Sequence, residues 1–152
     1  MVLHKPFLYT ELSNDIFFQS RDVTHVIVDP SVKVIRHAAF MGSRTLINVE
    51  LPEGLEHIDQ WAFDGCTSLV SIRIPSTVKK IGKKAFRKCM QLVNVELCEG
   101  LEHIELLAFE DCVSLTSITI PSTVKEIGFE AFSGCSQLRN VELCEGLEII
   151  DE

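Results

Sequence analysis

The sequence predicts a solenoid, in which short repeated units stack on one another and share one elongated core. The first observation is a fixed period of 23 residues, marked by the segment Ala-Phe-x-x-Cys. Its phenylalanines follow one another without an insertion: Phe40, Phe63, Phe86, Phe109 and Phe132. A constant period of about 20–50 residues is typical of solenoid proteins. The second observation is that each unit opens with alternating residues, such as Ile72-Arg73-Ile74, which predict a short, half-buried strand.

The period divides the chain into repeats 1 to 5 and a partial repeat 6. Their bounds are 24–46, 47–69, 70–92, 93–115, 116–138 and 139–152. Residues 1–23 do not match the period. We interpret them as a segment that caps the apolar end of the stack, with a short helix from about Glu11 to Gln19. A poorly ordered leader is the alternative.

Each repeat offers about eight inward positions. They are two strand residues, a second apolar pair spaced by three, and the Ala, Phe, Cys and final Leu of the second half. A proline such as Pro75 ends the strand, and Gly82 and Gly128 are predicted to end the middle segment with a left-handed turn. The spacing in the second half predicts a turn or two of α- or 3-10 helix. Stacked at roughly 4.8 Å, the repeats would form parallel sheets.

The complete unit, LxxIxIPxxVxxIGxxAFxxCxxL, runs over residues 24–152 and resembles the BspA-type class of leucine-rich repeats. The resemblance implies a right-handed, curved solenoid, with a parallel sheet on its concave face and short helical or 3-10 turns opposite. It also implies a non-catalytic binding module, and it leaves the compartment open, because such repeats occur in bacterial surface proteins, protists and algae. Repeat 1 departs from the pattern, with Asp29 at the proline position and Ser43 at the cysteine position.

A longer period overlies the first. Repeats 3 and 5 share 15 of 23 residues, and so do repeats 2 and 4, whereas repeats 2 and 3 share only 6. The unit of duplication is therefore a pair of repeats, 46 residues long.

Charge alternates between neighbouring repeats. Repeat 3 carries seven basic residues and no acidic one, whereas repeats 2 and 4 are acidic. Stacking would place alternating charges in one outward column: Lys33, Glu56, Lys79, Glu102, Lys125 and Glu148. Opposite charges on adjacent strands stabilise by about 0.2–1 kcal/mol, so we interpret the column as a ladder that fixes register. The alternative is that repeat 3 binds an acidic ligand.

Composition limits the possible functions. A formal net charge of −8 argues against nucleic acid as a partner. No run approaches the roughly 18 apolar residues needed to cross a bilayer. The N-terminus lacks the continuous apolar segment of a signal peptide, so we expect a cytoplasmic or otherwise intracellular location. A surface location stays open if the chain is a fragment.

The cysteines and histidines favour a structural role. Four cysteines share one inward position and are predicted to be reduced, buried thiols: Cys66, Cys89, Cys112 and Cys135. Distance alone leaves a disulfide between neighbours open. Cys98 and Cys144 lie two repeats apart, too far to bridge, and are predicted to be more exposed and reactive. No CxxC pair, phosphate loop, nucleophile elbow or HExxH motif occurs. We therefore predict no catalytic residue, no metal ligand, no cofactor and no enzyme activity.

Two surfaces are candidates for binding a protein or peptide partner. Ten strand residues alternate with the inward ones and would face the concave side: Asn48, Glu50, Ser71, Arg73, Asn94, Glu96, Ser117, Thr119, Asn140 and Glu142. A rigid groove of this kind loses little entropy on binding, but these residues could equally serve only to solvate the sheet. The second candidate is an apolar patch: Trp61, Leu106, Leu107 and Phe129. Covering of this patch by the N-terminal segment is its alternative explanation.

The sequence stops inside repeat 6 without a visible cap. The expectation is a fragment of a longer array, a shortened product, or a dimer sealed end to end through the last repeat. The predicted function is a non-catalytic protein–protein interaction scaffold. The alternative is a structural spacer, or a fragment of a longer repeat or cell-surface adhesion protein, with no ligand of its own.

Overall fold

The computed structural model describes residues 6–10 and 22–150, which form thirteen strands. The long strands have three or four residues each: β1 (Phe7–Tyr9), β2 (His25–Val28), β4 (Asn48–Glu50), β6 (Ser71–Ile74), β8 (Asn94–Leu97), β10 (Ser117–Ile120) and β12 (Asn140–Leu143). The short strands have two residues each: β3 (Val34–Ile35), β5 (His57–Ile58), β7 (Lys80–Ile81), β9 (His103–Ile104), β11 (Glu126–Ile127) and β13 (Ile149–Ile150).

The strands form parallel ladders whose register is one repeat, as predicted. Ile72 lies opposite Val95, and Ile81 lies opposite Ile104. The short strands make one six-stranded ladder from β3 to β13. The long strands make a five-stranded ladder, β1-β2-β4-β6-β8, and a separate pair, β10-β12. The short-strand ladder was not predicted, because a two-residue strand is too short to show an alternating pattern.

The second half of each repeat is a series of turns. The predicted helical turns are wrong, because no helix occurs in residues 6–10 or 22–150. The Cys66 N–H donates back to the Phe63 carbonyl at 3.1 Å, but the Phe63 N–H donates to the Ala85 carbonyl of the next repeat at 2.7 Å. Trp61 and Gly65 have φ angles of 59° and 72°. Residues with positive φ, together with N–H groups that bond to the next repeat, rule out a continuous right-handed helix in this segment.

A column of phenylalanine rings runs through the middle of the stack. From Phe40 to Phe132, neighbouring rings lie within 6° of parallel, with centroids 4.9–5.3 Å apart. The four rings from Phe40 to Phe109 are at most 1% exposed, which confirms their predicted place in the core. Tyr9 extends the column beyond repeat 1, with its ring 5.0 Å from that of Phe40.

Gly82 and Gly128 are required for close approach, and the predicted left-handed turn is wrong. Neither is among the residues with positive φ. A Cβ atom at Gly82 would lie 2.7 Å from the Asp59 carbonyl carbon, and one at Gly128 would lie 2.6 Å from the Leu106 nitrogen. The absent side chain therefore lets each of these repeats sit directly against the repeat before it.

Contacts between repeats give a physical reason for the 46-residue period. Gly100 has a φ of 117°, and a Cβ atom there would collide with the Ser76 carbonyl oxygen of the preceding repeat. On its other side, the Gly100 N–H donates to Thr123 Oγ1 at 2.8 Å. The same bond joins Gly54 and Thr77 at 2.9 Å, 46 residues earlier. Repeats 2 and 4, which carry Gly54 and Gly100, therefore each bond to the following repeat, 3 or 5, which carries Thr77 or Thr123. The two kinds of repeat are complementary and alternate along the stack.

The two ends of the described stack differ in exposure. Strand β1 pairs with β2, with Phe7 opposite Val26, and Tyr9 is 1% exposed. The helix predicted from Glu11 to Gln19 lies outside the described residues. In repeat 6, the apolar residues Val141 and Leu143 are 49% and 51% exposed.

Candidate binding surfaces

The ten predicted strand residues lie on one side of the stack, which we call the long-strand face. Each of the strands β4, β6, β8 and β10 carries two of the ten residues. The residue between those two is at most 5% exposed in every case, so alternate side chains point inward. The ten outward residues are all half-buried or exposed. The alternation therefore places them correctly, and their role in binding stays a prediction.

Arg73 lies between two acidic side chains on this face. Its guanidinium contacts Glu53 and Glu96, with N–O distances of 3.1 Å to each. Hydrogen bonding to Glu53 is the main reason that the pKa of Arg73 is raised. Both ion pairs are more than half exposed, so solvent screens them and they contribute little to stability. They place three charged side chains next to one another on this face.

The long-strand face is interrupted between β8 and β10. These strands belong to different ladders, and a groove of about 310 Å3 lies between them. Asn94 and Glu96 line one side of the groove, and Ser117 and Thr119 line the other. Four of the ten predicted residues therefore meet at one groove.

An apolar stripe beside this face was missed by the sequence reasoning. Ile47, Val70 and Val93 occupy the position just before each long strand, in three consecutive repeats. They are 41%, 40% and 46% exposed. The available signal was three β-branched residues in one column, directly before a strand whose inward positions were already assigned.

The predicted apolar patch is divided in the structure. Leu106 and Phe129 line one hollow of about 370 Å3, and Phe129 is 46% exposed. Leu107 is half-buried. Trp61 lies two repeats away, where its ring packs edge-on against His37 at a centroid distance of 5.1 Å. The alternative explanation, that the N-terminal segment covers this patch, involves residues 1–5 and 11–21, which lie outside the described residues.

Most of the cations of repeat 3 are paired with acids in repeats 2 and 4. Besides Arg73, Lys80 contacts Glu105 at 2.9 Å. Arg87 binds Asp64 through two hydrogen bonds of 2.9 and 3.1 Å, which raise the pKa of Arg87. Asp64 is 8% exposed, so this pair is the least accessible to solvent. Three cations make no ion pair within the described part of the chain: Lys83, Lys84 and Lys88.

The predicted charge ladder is present in part. Glu102 lies between Lys79 and Lys125, at N–O distances of 3.5 and 3.2 Å. The hydrogen bond from Lys125 is the main reason that the pKa of Glu102 is lowered. Glu56 and Glu148 make no ion pair within residues 6–10 and 22–150, so the ladder is continuous only from Lys79 to Lys125.

All six cysteines are free thiols. Those of the inward column donate to the phenylalanine carbonyl of the preceding repeat, as Cys89 does to Phe63 at 3.2 Å. Burial raises the pKa of the Cys66 and Cys89 thiols, which keeps them neutral. Cys98 is half-buried, and burial also raises its pKa, which opposes the predicted reactivity.

Neither a metal-binding cluster nor a membrane-spanning helix occurs among the described residues. Residues 6–10 and 22–150 hold no group of three or more His, Cys, Asp or Glu side chains that could bind a metal ion. In the same part of the chain, no helix has the length and hydrophobicity needed to span a bilayer.

The parallel ladders and the central phenylalanine column define a leucine-rich repeat solenoid. A family model described as the BspA type leucine-rich repeat region matches residues 10–139 and 102–152, with 6 copies. The chain belongs to the BspA-type leucine-rich repeat family. No curated protein matches it significantly.

Several solved bacterial structures are similar. The leucine-rich repeat protein TpLRR of T. pallidum is 27% identical, with a TM-score of 0.72, over 99% of this chain and 67% of that one. The pneumococcal vaccine antigen PcpA is 27% identical, with a TM-score of 0.69, over 80% of this chain and 30% of that one. A leucine-rich repeat protein of Bacteroides ovatus is 27% identical, with a TM-score of 0.65, over 87% of this chain and 40% of that one. The chain thus spans less than half the length of the last two.

Proposed function

We propose that this chain is a non-catalytic scaffold that binds a protein or peptide through the long-strand face. The observation that carries the proposal is the groove between β8 and β10, where polar side chains from two ladders meet. Side chains held on hydrogen-bonded strands lose little freedom on binding, which favours recognition by a preformed surface. The family is generally non-catalytic, which agrees with this role.

The long-strand face offers two chemistries to a partner. Arg73, Glu50 and Glu96 supply charges of both signs, while Ile47, Val70 and Val93 supply an apolar border. Protein interfaces contain both apolar and polar area, and this face offers the two side by side. A protein surface or peptide fits this combination better than nucleic acid does, because the protein carries a net charge of −8.

A charge-reversal pull-down tests the proposal. The face variant combines Arg73→Glu, Glu50→Lys and Glu96→Lys. A matched control makes the same changes of charge in the outward column, with Lys33→Glu, Glu56→Lys and Glu148→Lys. We expect a partner that the control retains and the face variant loses, measured by quantitative mass spectrometry of the captured proteins. A set of captured proteins that is the same for both variants would contradict the proposal.

A second candidate is a structural module within a longer cell-surface protein. It is favoured by the similarity to the pneumococcal vaccine antigen PcpA, of which this chain spans 30%. Protease treatment of intact cells, followed by detection of this chain, separates the two. Cleavage on intact cells supports the surface module, and protection until the cells are lysed supports an intracellular scaffold.

A further inference from the structure

Arg73 bridges two glutamates that lie in the repeats on either side of it. Its guanidinium contacts Glu53 of repeat 2 through Nη1 and Glu96 of repeat 4 through Nε, at 3.1 Å each. Strand register fixes the second contact, because Arg73 lies directly opposite Glu96 in the ladder of β6 and β8. The protein itself therefore shows how two glutamates on the long-strand face hold a guanidinium group.

The same pair of glutamates recurs 46 residues later without an arginine. Glu99 and Glu142 are the counterparts of the two glutamates that hold Arg73, and Thr119 occupies the place of the arginine. Thr119 lies directly opposite Glu142 in the ladder of β10 and β12. We call Glu99, Thr119 and Glu142 the threonine site.

A serine hydroxyl holds the first glutamate of each pair. Ser122 Oγ donates to Glu99 at 3.0 Å. The equivalent Ser76 Oγ donates to Glu53 at 3.2 Å. The Ser122 backbone N–H also donates to Glu99, at 3.2 Å. The protein therefore positions Glu99 as it positions the glutamate that binds Arg73.

The two carboxylates of the threonine site have no cation. Glu99 and Glu142 make no ion pair within residues 6–10 and 22–150. Thr119 Oγ1 donates to Glu142 at 3.2 Å, but a hydroxyl brings no charge. Residues 93–152 contain thirteen acidic residues and two basic ones, and one of these, Lys125, is paired with Glu102. This part of the protein therefore favours a cationic ligand.

Space for a ligand adjoins the threonine site. Thr119 is exposed and lines the groove of about 310 Å3 between β8 and β10. Glu99 and Glu142 are exposed as well. Because threonine is much shorter than arginine, the space that the Arg73 side chain fills over β6 is open over β10.

We propose that the threonine site binds an arginine side chain of the partner protein, which takes the place that Arg73 fills two repeats earlier. The inference rests on the proposed function and deepens it, because it names the group that the long-strand face recognises. Arginine fits better than lysine, because its planar guanidinium presents donors in several directions and can contact two carboxylates at once.

Small probes test the chemistry of the site. N-acetyl-arginine amide carries the guanidinium, N-acetyl-lysine amide carries the charge alone, and N-acetyl-citrulline amide has nearly the shape of the arginine probe without its charge. In amide NMR titrations, the arginine probe should shift the signals of Thr119 and Ser122, whose N–H reports directly on Glu99. It should bind about threefold more tightly than the lysine probe, because it makes one more contact at an exposed site.

The citrulline probe should cause no saturable shift at these two amides. Equal affinity for the lysine probe, equal shifts with citrulline, or no shift with arginine would each overturn the proposal.

Protein variants test the location. Thr119→Arg fills the site with an arginine of the chain itself, so affinity for the arginine probe should fall at least about tenfold. Thr116→Arg adds the same charge at an exposed threonine just before β10 and should keep most of the affinity. Glu142→Gln should weaken binding more than Glu145→Gln, which removes an equally exposed carboxylate outside the site. Equal losses within either pair of variants would overturn the proposed location.

The inference and the proposed function can fail separately. In the pull-down, Thr119→Arg should lose the partner that Thr116→Arg retains. A partner that the face variant loses and Thr119→Arg retains would uphold binding by the long-strand face and overturn the arginine site. If no partner is captured by any form of the protein, the proposed function fails, and the NMR titrations alone decide whether the threonine site binds a guanidinium group.

Discussion

Repeats 3 and 4 have the same core and opposite surfaces. Phe86 and Phe109 are both 0% exposed, and their rings stack 5.2 Å apart. Outside the core, repeat 3 carries seven basic residues and no acidic one, whereas repeat 4 carries six acidic residues and no lysine or arginine. Three ion pairs join the two repeats, the closest of them between Lys80 and Glu105 at 2.9 Å.

The structural unit of this solenoid is therefore a pair of unlike repeats. Repeats of the two kinds make specific contacts with each other, since Gly100 makes room for the Ser76 carbonyl and donates to Thr123 on the opposite side. Two acidic repeats in contact would also place like charges side by side, which is destabilising. Backbone fit, hydrogen bonding and charge therefore all alternate with one period.

The largest expected effect tests the backbone fit. Gly100→Ala should lower the free energy of unfolding by about 4 kcal/mol or more, because a backbone carbonyl cannot rotate away from the new methyl group. Gly42→Ala is the control. Gly42 has a φ of 73°, but a Cβ atom added there would meet nothing within 4 Å, so a loss of only about 1–2 kcal/mol is expected. Urea unfolding measures both, and equal losses would remove the collision as the reason for glycine in repeat 4.

The next prediction tests whether repeats 3 and 4 have equivalent cores. Phe86→Ala and Phe109→Ala should each cost about 3–5 kcal/mol, because both rings are fully buried between two others. We expect the two losses to differ by less than the roughly 2 kcal/mol spread found between unrelated core sites, because both rings lie between two stacked rings. A much larger gap in urea unfolding would show that the two repeats do not have equivalent cores.

A third effect appears at alkaline pH. Burial raises the pKa of the Cys89 thiol in the folded protein. In the unfolded chain this thiol ionises with a pKa of about 8.5. The neutral thiol therefore stabilises the fold fully below that pH, and this contribution is lost as the pH rises towards the pKa of the folded protein. The stability of wild type should fall above pH 8.5, and Cys89→Ala should reduce that slope by about 1.4 kcal/mol per pH unit. Unfolding midpoints between pH 7.5 and 10 check this, with Ser114→Ala as the control that keeps the wild-type slope.

The smallest effect tests the charges. Lys79→Glu should cost about 0.5–1 kcal/mol, because it replaces the contact with Glu102 by a repulsion at a half-exposed site. The loss should shrink in 1 M salt, where exposed charges are screened. Lys84→Glu makes the same change of charge at a residue that makes no ion pair within the described chain, and a loss as large as that of Lys79→Glu would mean that net charge, not pairing, is measured.

The inward positions were predictable because they repeat without a gap. In their separate repeats, Val49, Ile72 and Val95 each stand between two polar residues, and three residues are enough to show a period of two. The outward strand residues followed from the same alternation. The groove between β8 and β10 did not, because it depends on where a ladder is interrupted, and Asn94 and Ser117 occupy an ordinary strand position in the sequence.

Four features could be predicted from the amino-acid sequence because each depends on equivalent residues at constant spacing. They are the period, the parallel stacking, the phenylalanine column and the alternation of repeat types. The conformation of the second half of each repeat could not be predicted, because N–H groups such as that of Phe63 bond to the next repeat instead of within a helix. The same holds for the role of Gly82 in close packing and for the contact of Leu106 with Phe129 but not with Trp61. These outcomes depend on contacts between repeats, whose geometry no single repeat specifies.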